Sequence, residues 1–150
     1  MAYGWDYPNP FTIDIRVSAA DIDGLGHVNN AIYVTWLERI AWAHSEFLGI
    51  DLERFQALDR AMAVARHEID YLAAARLDDD LLLGTWVAGS DRRLKLKRHF
   101  QLVRPADDRT LLRANTLFVC IEPSSGRPRR MPELFTTTYG AVLVANPDPM

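Results

Sequence analysis

The sequence predicts an α+β fold in which one antiparallel sheet wraps around a single long helix. Three observations carry this expectation. Apolar residues recur at spacings of three and four through residues 31–48, the periodicity of one strongly apolar helix. Five further runs have strand character, one before that helix and four after it. The four later runs follow one another through short turns, which suits an antiparallel meander. A helix placed between one strand and four buries its apolar side most simply by packing into the curl of the sheet.

The elements follow in order. Phe11, Ile13, Ile15 and Val17 alternate with Thr12, Asp14 and Arg16, the pattern of a strand with one buried face. Residues 18–26 break that alternation, and Asp21, Asp23, Gly24 and Gly26 are residues that tolerate turns and left-handed backbone. Asn29 or Asn30 can cap the helix by accepting from its free first-turn N–H groups. Ile32, Tyr33, Trp36, Leu37, Ile40, Ala41, His44, Phe47 and Leu48 form the apolar face, and Gly49 supplies the stop. Val34, Trp42 and Ala43 widen that face until Thr35, Glu38, Arg39, Ser45 and Glu46 are the main exposed positions, so other structure should wrap the helix.

Residues 51–58 read as a short helix or turn. The later strands are expected over 62–72, 81–90, 94–103 and 110–121, with turns at 78–80, 91–93 and 105–108. In the third of these, Leu94 and Leu96 should face in while Lys95 and Lys97 face out. Residues 123–132 form a loop rich in Pro, Gly, Ser and Arg, residues 134–144 a last short element, and 146–150 a tail expected to fray.

Composition narrows the setting. Residues 1–150 make about one domain, with 49% hydrophobic and 25% charged residues, the usual balance of a soluble globular protein. A net charge of -3 offers no basic field for a nucleic acid. The single Cys120 lies in an apolar run and fits a reducing compartment. The first ten residues lack a basic start and an unbroken apolar run, so no secretory signal is expected. No stretch approaches the roughly 18 apolar residues of a membrane span. A soluble, cytoplasmic protein without nucleic-acid or membrane partners is the expectation.

Several kinds of chemistry are missing from the chain. There is no Gly-x-Ser-x-Gly elbow, no phosphate loop, no Gly-x-Gly-x-x-Gly after a strand and no paired-Cys motif. Asp21-x-Asp23-Gly24 opens like a calcium loop, but Leu25 and Ile32 occupy ligand positions. His27, His44, His67 and His99 have no zinc-site spacing, so no metal ligand is expected.

What remains is a pair of carboxylates ahead of a helix N-terminus. That terminus presents unpaired N–H groups and about half a positive charge, which can polarise a carbonyl or hold a developing oxyanion. Asp23, held by a glycine turn, is placed to attack such a carbonyl or to deprotonate water. On the residues alone, Asp21, Asp23, Asn29 and Asn30 serve equally well as caps of turns and helix.

The run Asp21-Ile22-Asp23-Gly24-Leu25-Gly26-His27-Val28-Asn29-Asn30, then Tyr33 and Trp36-Leu37-Glu38, resembles the signature of hotdog-fold acyl-CoA thioesterases of the 4-hydroxybenzoyl-CoA thioesterase group. It is also similar to the central motif of plant acyl-ACP thioesterases. Glu68-Ile69-Asp70-Tyr71-Leu72, Ala75-Arg76-Leu77-Asp78-Asp79 and the loop from Gly126 to Glu133 extend the likeness.

The resemblance implies a hotdog fold and hydrolysis of an aromatic or fatty acyl-CoA to the free acid and CoA. It implies no metal or redox cofactor, CoA being part of the substrate. Asp23 matches the catalytic aspartate, as nucleophile through a mixed anhydride or as general base. Asn30 matches the position whose backbone N–H polarises the thioester carbonyl. His27 matches a histidine implicated in the plant enzymes, although Leu25 stands here where those carry Asn.

Glu38 is the rival carboxylate, because another branch of the fold places its acid at the matching helical position after a His-Gly-Gly start that this chain lacks. The fold's hydratases use Asp-x-Asn-Pro-x-His, which the Asp23 to His27 spacing does not reproduce. Candidates for the CoA phosphates are Arg127, Arg129 and Arg130, with Lys95 and Lys97. Arg66 and His67 read as structural, and Trp36, Trp42 and Phe47 as pocket lining or core. The resemblance further implies a homodimer or homotetramer with each site at a subunit interface. A module that binds acyl ligands without turning them over is the other reading of the same residues.

Overall fold

A computed structural model of the chain describes residues 4–150; Met1 to Tyr3, where part of the leader expectation falls, lie outside the described residues. Strand β1 (Phe11–Arg16) is followed by β2 (Ala61–Tyr71), β3 (Asp80–Ser90), β4 (Lys95–Arg104), β5 (Arg109–Glu122) and the two-residue β6 (Arg127–Pro128). They form one sheet in the order β1-β3-β4-β5-β2, every neighbour antiparallel, with β6 added to β5. The meander therefore covers β3, β4 and β5 only. Strand β2 does not pair with β3, which follows it in sequence; it crosses to the far side of β5, so the sheet ends on β2 at one edge and β1 at the other. Turn spacing alone does not reveal such a crossing.

Three helices accompany the sheet: α1 (Asn30–Phe47), α2 (Leu52–Leu58) and α3 (Glu133–Ala141). Helix α1 starts at Asn29, whose side chain accepts from the Ala31 N–H at 2.9 Å, and stops at Gly49 with φ 95°. Its Tyr33, Trp36, Leu37 and Ile40 pack against Ile15, Leu81, Leu83, Phe100 and Leu112 of the sheet. A second apolar cluster gathers Phe55 of α2, Phe118 and Cys120 of β5, and Phe135 and Tyr139 of α3. Helix α1 runs closest to β3 and β1, which leaves space between it and the β4-β5-β2 side. Among the described residues no helix is long and apolar enough to cross a membrane.

Burial departs from the one-dimensional pattern in four places, each for a tertiary reason. Strands β3 and β4 are buried on both faces because residues 4–10 cover the sheet's outer side. That cover is pinned by hydrogen bonds from Trp86 Nε1–H to the Pro8 carbonyl (2.9 Å) and between His99 Nε2 and Asp6 Oδ2 (2.7 Å). Gly84 makes room for it, since a Cβ there would lie 2.9 Å from the Trp5 ring.

The tail expected to fray is docked instead: the Asp148 N–H donates to the Ala88 carbonyl at 2.8 Å, and Lys97 pairs with the Asp148 carboxylate at 2.9 Å. Ser45, expected on the surface, is buried by a hydrogen bond to Tyr139 of α3. Phe47, expected in the apolar face, is 75% exposed and meets only the edge of the fold, where its ring lies 5.3 Å from that of Phe11.

Candidate active site

The loop ahead of α1 is built like a miniature hairpin. Ile22 and Val28 form an antiparallel bridge, the Asn29 N–H donates to the Asp21 carbonyl (2.9 Å), and the Asp23 N–H donates to the His27 carbonyl (2.8 Å). Gly26, with φ 77°, takes the left-handed turn this closure needs. A second set of bonds docks the loop on the body: the Val28 N–H reaches the Ala75 carbonyl, and the Ala75 N–H donates to the Tyr33 hydroxyl at 3.0 Å.

That closure orients Asp23. Its Oδ1 accepts from the backbone N–H groups of Leu25 (2.8 Å) and His27 (3.3 Å), while no described residue donates to Oδ2. One carboxylate oxygen is tethered and the other is left open. Asn29 takes the capping role, so its side chain occupies the Ala31 N–H and leaves the Asn30 N–H to a different partner. Among the described residues no acceptor takes that N–H. It opens an 18-residue helix, so the dipole and the free donor act at the same point.

The space beside α1 is a groove of about 540 Å³ between that helix and strands β2, β4 and β5, closed over by α2 and α3. Its walls are largely apolar, including Leu37, Ala41, Phe55, Phe100 and Phe118. Val34, one turn beyond Asn30, marks the groove's approach to the loop; Asp23, His27 and Asn30 do not themselves line it.

The rival Glu38 does line the groove and is exposed, in keeping with its place among the exposed positions expected for the helix. Its position on α1 faces the gap between helix and sheet, which water reaches. His67 also lines the groove and bonds Thr116 through Nδ1 at 2.7 Å, while Arg66 pairs with Glu68 at the surface. Of the three aromatic candidates, Trp42 lines the groove, whereas Trp36 is core and Phe47 is exposed.

The candidate arginines stand elsewhere in the chain's own structure. β6 pairs with β5 at Ile121 and Glu122, the end where β2 begins at Ala61, whereas Tyr71 at the other end of β2 bonds the Asn30 carbonyl. Eleven strand residues, roughly 33 Å, separate the two ends. Arg129 is held by Glu122 at 3.3 Å, and Arg130 offers its carbonyl to Arg60. Lys95 is exposed, and Lys97 is engaged by the tail.

Arg98 and Ser45, which line the groove, and His44 beside Arg98 were not singled out as site residues by sequence. Arg98 on β4 is only 2% exposed, with His44 Nδ1 at 2.7 Å and Ser45 Oγ at 3.2 Å from its guanidinium. Burial and the adjacent guanidinium push the His44 pKa down to about 3, so the ring stays neutral near pH 7. The available signal was phase: Arg98 falls in step with Leu94, Leu96 and Phe100, the inward set of β4. Burial also drives the Cys120 thiol up to about 11, which leaves it a poor nucleophile. Among the described residues no cluster of three or more His, Cys, Asp or Glu side chains could share a metal ion.

The chain is similar to several known proteins. The profile of the thioesterase-like superfamily matches residues 17–137. The acyl-CoA thioester hydrolase YbgC of Escherichia coli is 31% identical over 129 residues, covering 86% of this chain and 95% of that protein. The 1,4-dihydroxy-2-naphthoyl-CoA thioesterase Slr0204 of Synechocystis superposes with a TM-score of 0.79 at 21% identity, over 88% of this chain and 96% of that one. SAV2348 of Staphylococcus aureus, solved in complex with CoA, gives 0.85 at 18% identity over 96% and 89%. With the profile spanning most of the chain and a curated relative matched along nearly its whole length, this chain belongs to the thioesterase-like superfamily.

Proposed function

We propose that the chain hydrolyses acyl-CoA thioesters to the free acid and CoA, with the chemistry at the loop ahead of α1. The observation that carries this reading is the pairing of a tethered Asp23, one oxygen free, with an Asn30 N–H that no described residue accepts from. In this reading the Asn30 N–H holds the thioester oxygen as negative charge builds on it. Asp23 Oδ2 then either adds to the carbonyl carbon, releasing CoA thiolate and leaving a mixed anhydride for water to open, or takes a proton from the water that adds directly. No metal or redox cofactor enters the reaction. His27 contributes through its backbone, which fixes Asp23.

The same reading takes residues 1–150 as one hotdog domain with α1 as its central helix, and places each site at a subunit interface. Strand β2 supports this: its outer edge has no strand partner among the described residues, and Val64 and Tyr71 are exposed along it. Two copies joined antiparallel through β2 would set the Ala61 end of one against the Tyr71 end of the other. The late-loop arginines of one copy would then approach the Asp23 loop of the second, where CoA phosphates need cations. A homodimer, or a homotetramer made from two such pairs, satisfies this.

Glu38 keeps a second reading open within the same activity, because it lines the groove and Asp23 does not. Thiol release from a panel of acyl-CoAs separates the two. Asp23→Asn should abolish most turnover in a folded protein while Glu38→Gln retains it; the opposite result moves the carboxylate to Glu38. Saturable binding with turnover no faster than the Asp23→Asn control would make the chain a binding module.

A further inference from the structure

The deep end of the groove presents a buried charge without a counter-charge. Arg98 is 2% exposed and lines a cavity whose walls are otherwise mostly apolar. Its neighbours are His44 Nδ1, Ser45 Oγ and the face of the Tyr139 ring, 5.9 Å from the guanidinium carbon. Among the described residues no carboxylate lies within ion-pair distance of it. All three neighbours are neutral: burial holds the Tyr139 hydroxyl above its ordinary pKa, and His44 is held far below its own. The guanidinium itself remains protonated, since arginine is not deprotonated inside proteins.

A buried, unpaired charge is among the costliest arrangements a core can hold, and an apolar side chain of similar volume would remove that cost. The neutral hydrogen bonds and the aromatic face offset it only in part. The charge is also not sealed in, because it faces a cavity large enough for a ligand. Its distance from the reactive loop is suited to one class of ligand. Ser45 lies about 22 Å along the helix axis from Asn30 at roughly 1.5 Å per residue, and the guanidinium stands beside it, 3.2 Å from its Oγ. With a hydrogen bond at each end, an extended chain of on the order of 16 atoms covers that span.

We propose that Arg98, with Ser45 beside it, forms a subsite for a carboxylate at the far end of the acyl chain, so that the preferred substrates are long ω-carboxyacyl thioesters. This rests on the acyl-CoA hydrolase reading above. The thioester end lies at Asn30, the methylene chain runs along Leu37 and Ala41, and the distal carboxylate meets the guanidinium in a forked, charge-assisted pair.

The test compares hexadecanedioyl-CoA, with one carboxyl free, against hexadecanoyl-CoA, each by thiol release. The native chain should favour the diacid by at least about tenfold in kcat/KM. In Arg98→Met that ratio should fall to one or below, and the ratio within each variant cancels any general loss of activity. Native turnover of hexadecanoyl-CoA equal to or faster than that of the diacid overturns the proposal, even if Arg98→Met does not fold.

Calorimetric binding of dodecanoate against dodecanol tests the charge without turnover. A native preference for dodecanoate that Arg98→Met abolishes, with no acyl-CoA hydrolysed, leaves the carboxylate subsite standing and removes the hydrolase reading. Such a preference with no advantage for the diacid thioester assigns Arg98 to the released acid, and the proposal falls.

Discussion

The two ends of the helix α1 region use polar groups in opposite ways. At its start, the Asp21 to Asn30 loop is partly solvated and most of its polar groups are held by neighbours a few residues away, while the N–H of the exposed Asn30 meets no acceptor among the described residues. Toward its far end, His44 and Ser45 meet Arg98 from a strand more than fifty residues on, out of water and with no carboxylate in reach. The first arrangement costs little to maintain and can polarise a carbonyl. The second is expensive, and it persists only where the surrounding fold, or a ligand, compensates. The proposed reactive centre and the proposed recognition centre thus differ in how locally they are assembled.

The largest effect that would break this contrast lies at the first end. Asp23→Asn should lower kcat for thiol release by about 10³-fold or more with the fold intact by circular dichroism, a loss typical of a missing nucleophile or base. Asn30→Pro is a sharper probe. Asn30 is the first residue of α1, a position that tolerates proline, and Asn29 before it already has extended backbone with ψ 135°. This variant should fold normally yet lose about 10²- to 10³-fold in kcat, because only the N–H is removed. Asn30→Ala, which keeps the N–H, should stay close to native; if Asn30→Ala were as impaired as Asn30→Pro, the backbone role would be wrong.

At the second end the expected readout is stability against pH. His44 titrates near 6.5 when unfolded and about 3 when folded, so the unfolded chain binds more protons between those values. Its contribution is fully present above pH 6.5 and is lost as pH falls toward 3, by up to a few kcal/mol. Urea unfolding at a series of pH values should show this decline, and His44→Gln should flatten it. The smallest effect separates the cap from the chemistry: Asn29→Ala should cost about 1 kcal/mol in urea unfolding, through loss of the bond to the Ala31 N–H, with much less effect on turnover than Asn30→Pro.

Much of the architecture was readable because it follows from short-range rules. The span of α1, the bounds of β1, β3, β4 and β5 to within a few residues, and the loop ahead of α1 all follow from periodicity, caps and turn residues. The features that were missed depend on partners distant in sequence. Ser45 reads as a surface position until Tyr139 and Arg98 reach it, and residues 146–150 read as a loose end until Ala88 and Lys97 hold them. The alternation in β4 marked its lysines as outward but passed over Arg98, which shares the inward phase with its leucines.

The sequence by itself therefore determined what each segment is and which residues stand at the helix N-terminus, because hydrogen bonds across two to eight residues decide both. Only the tertiary structure decided which edge β2 occupies, that a groove opens between α1 and the β4-β5-β2 side, and that a guanidinium lies at its end. Those outcomes depend on how apolar faces from distant segments share one core, a global packing condition that no local pattern encodes.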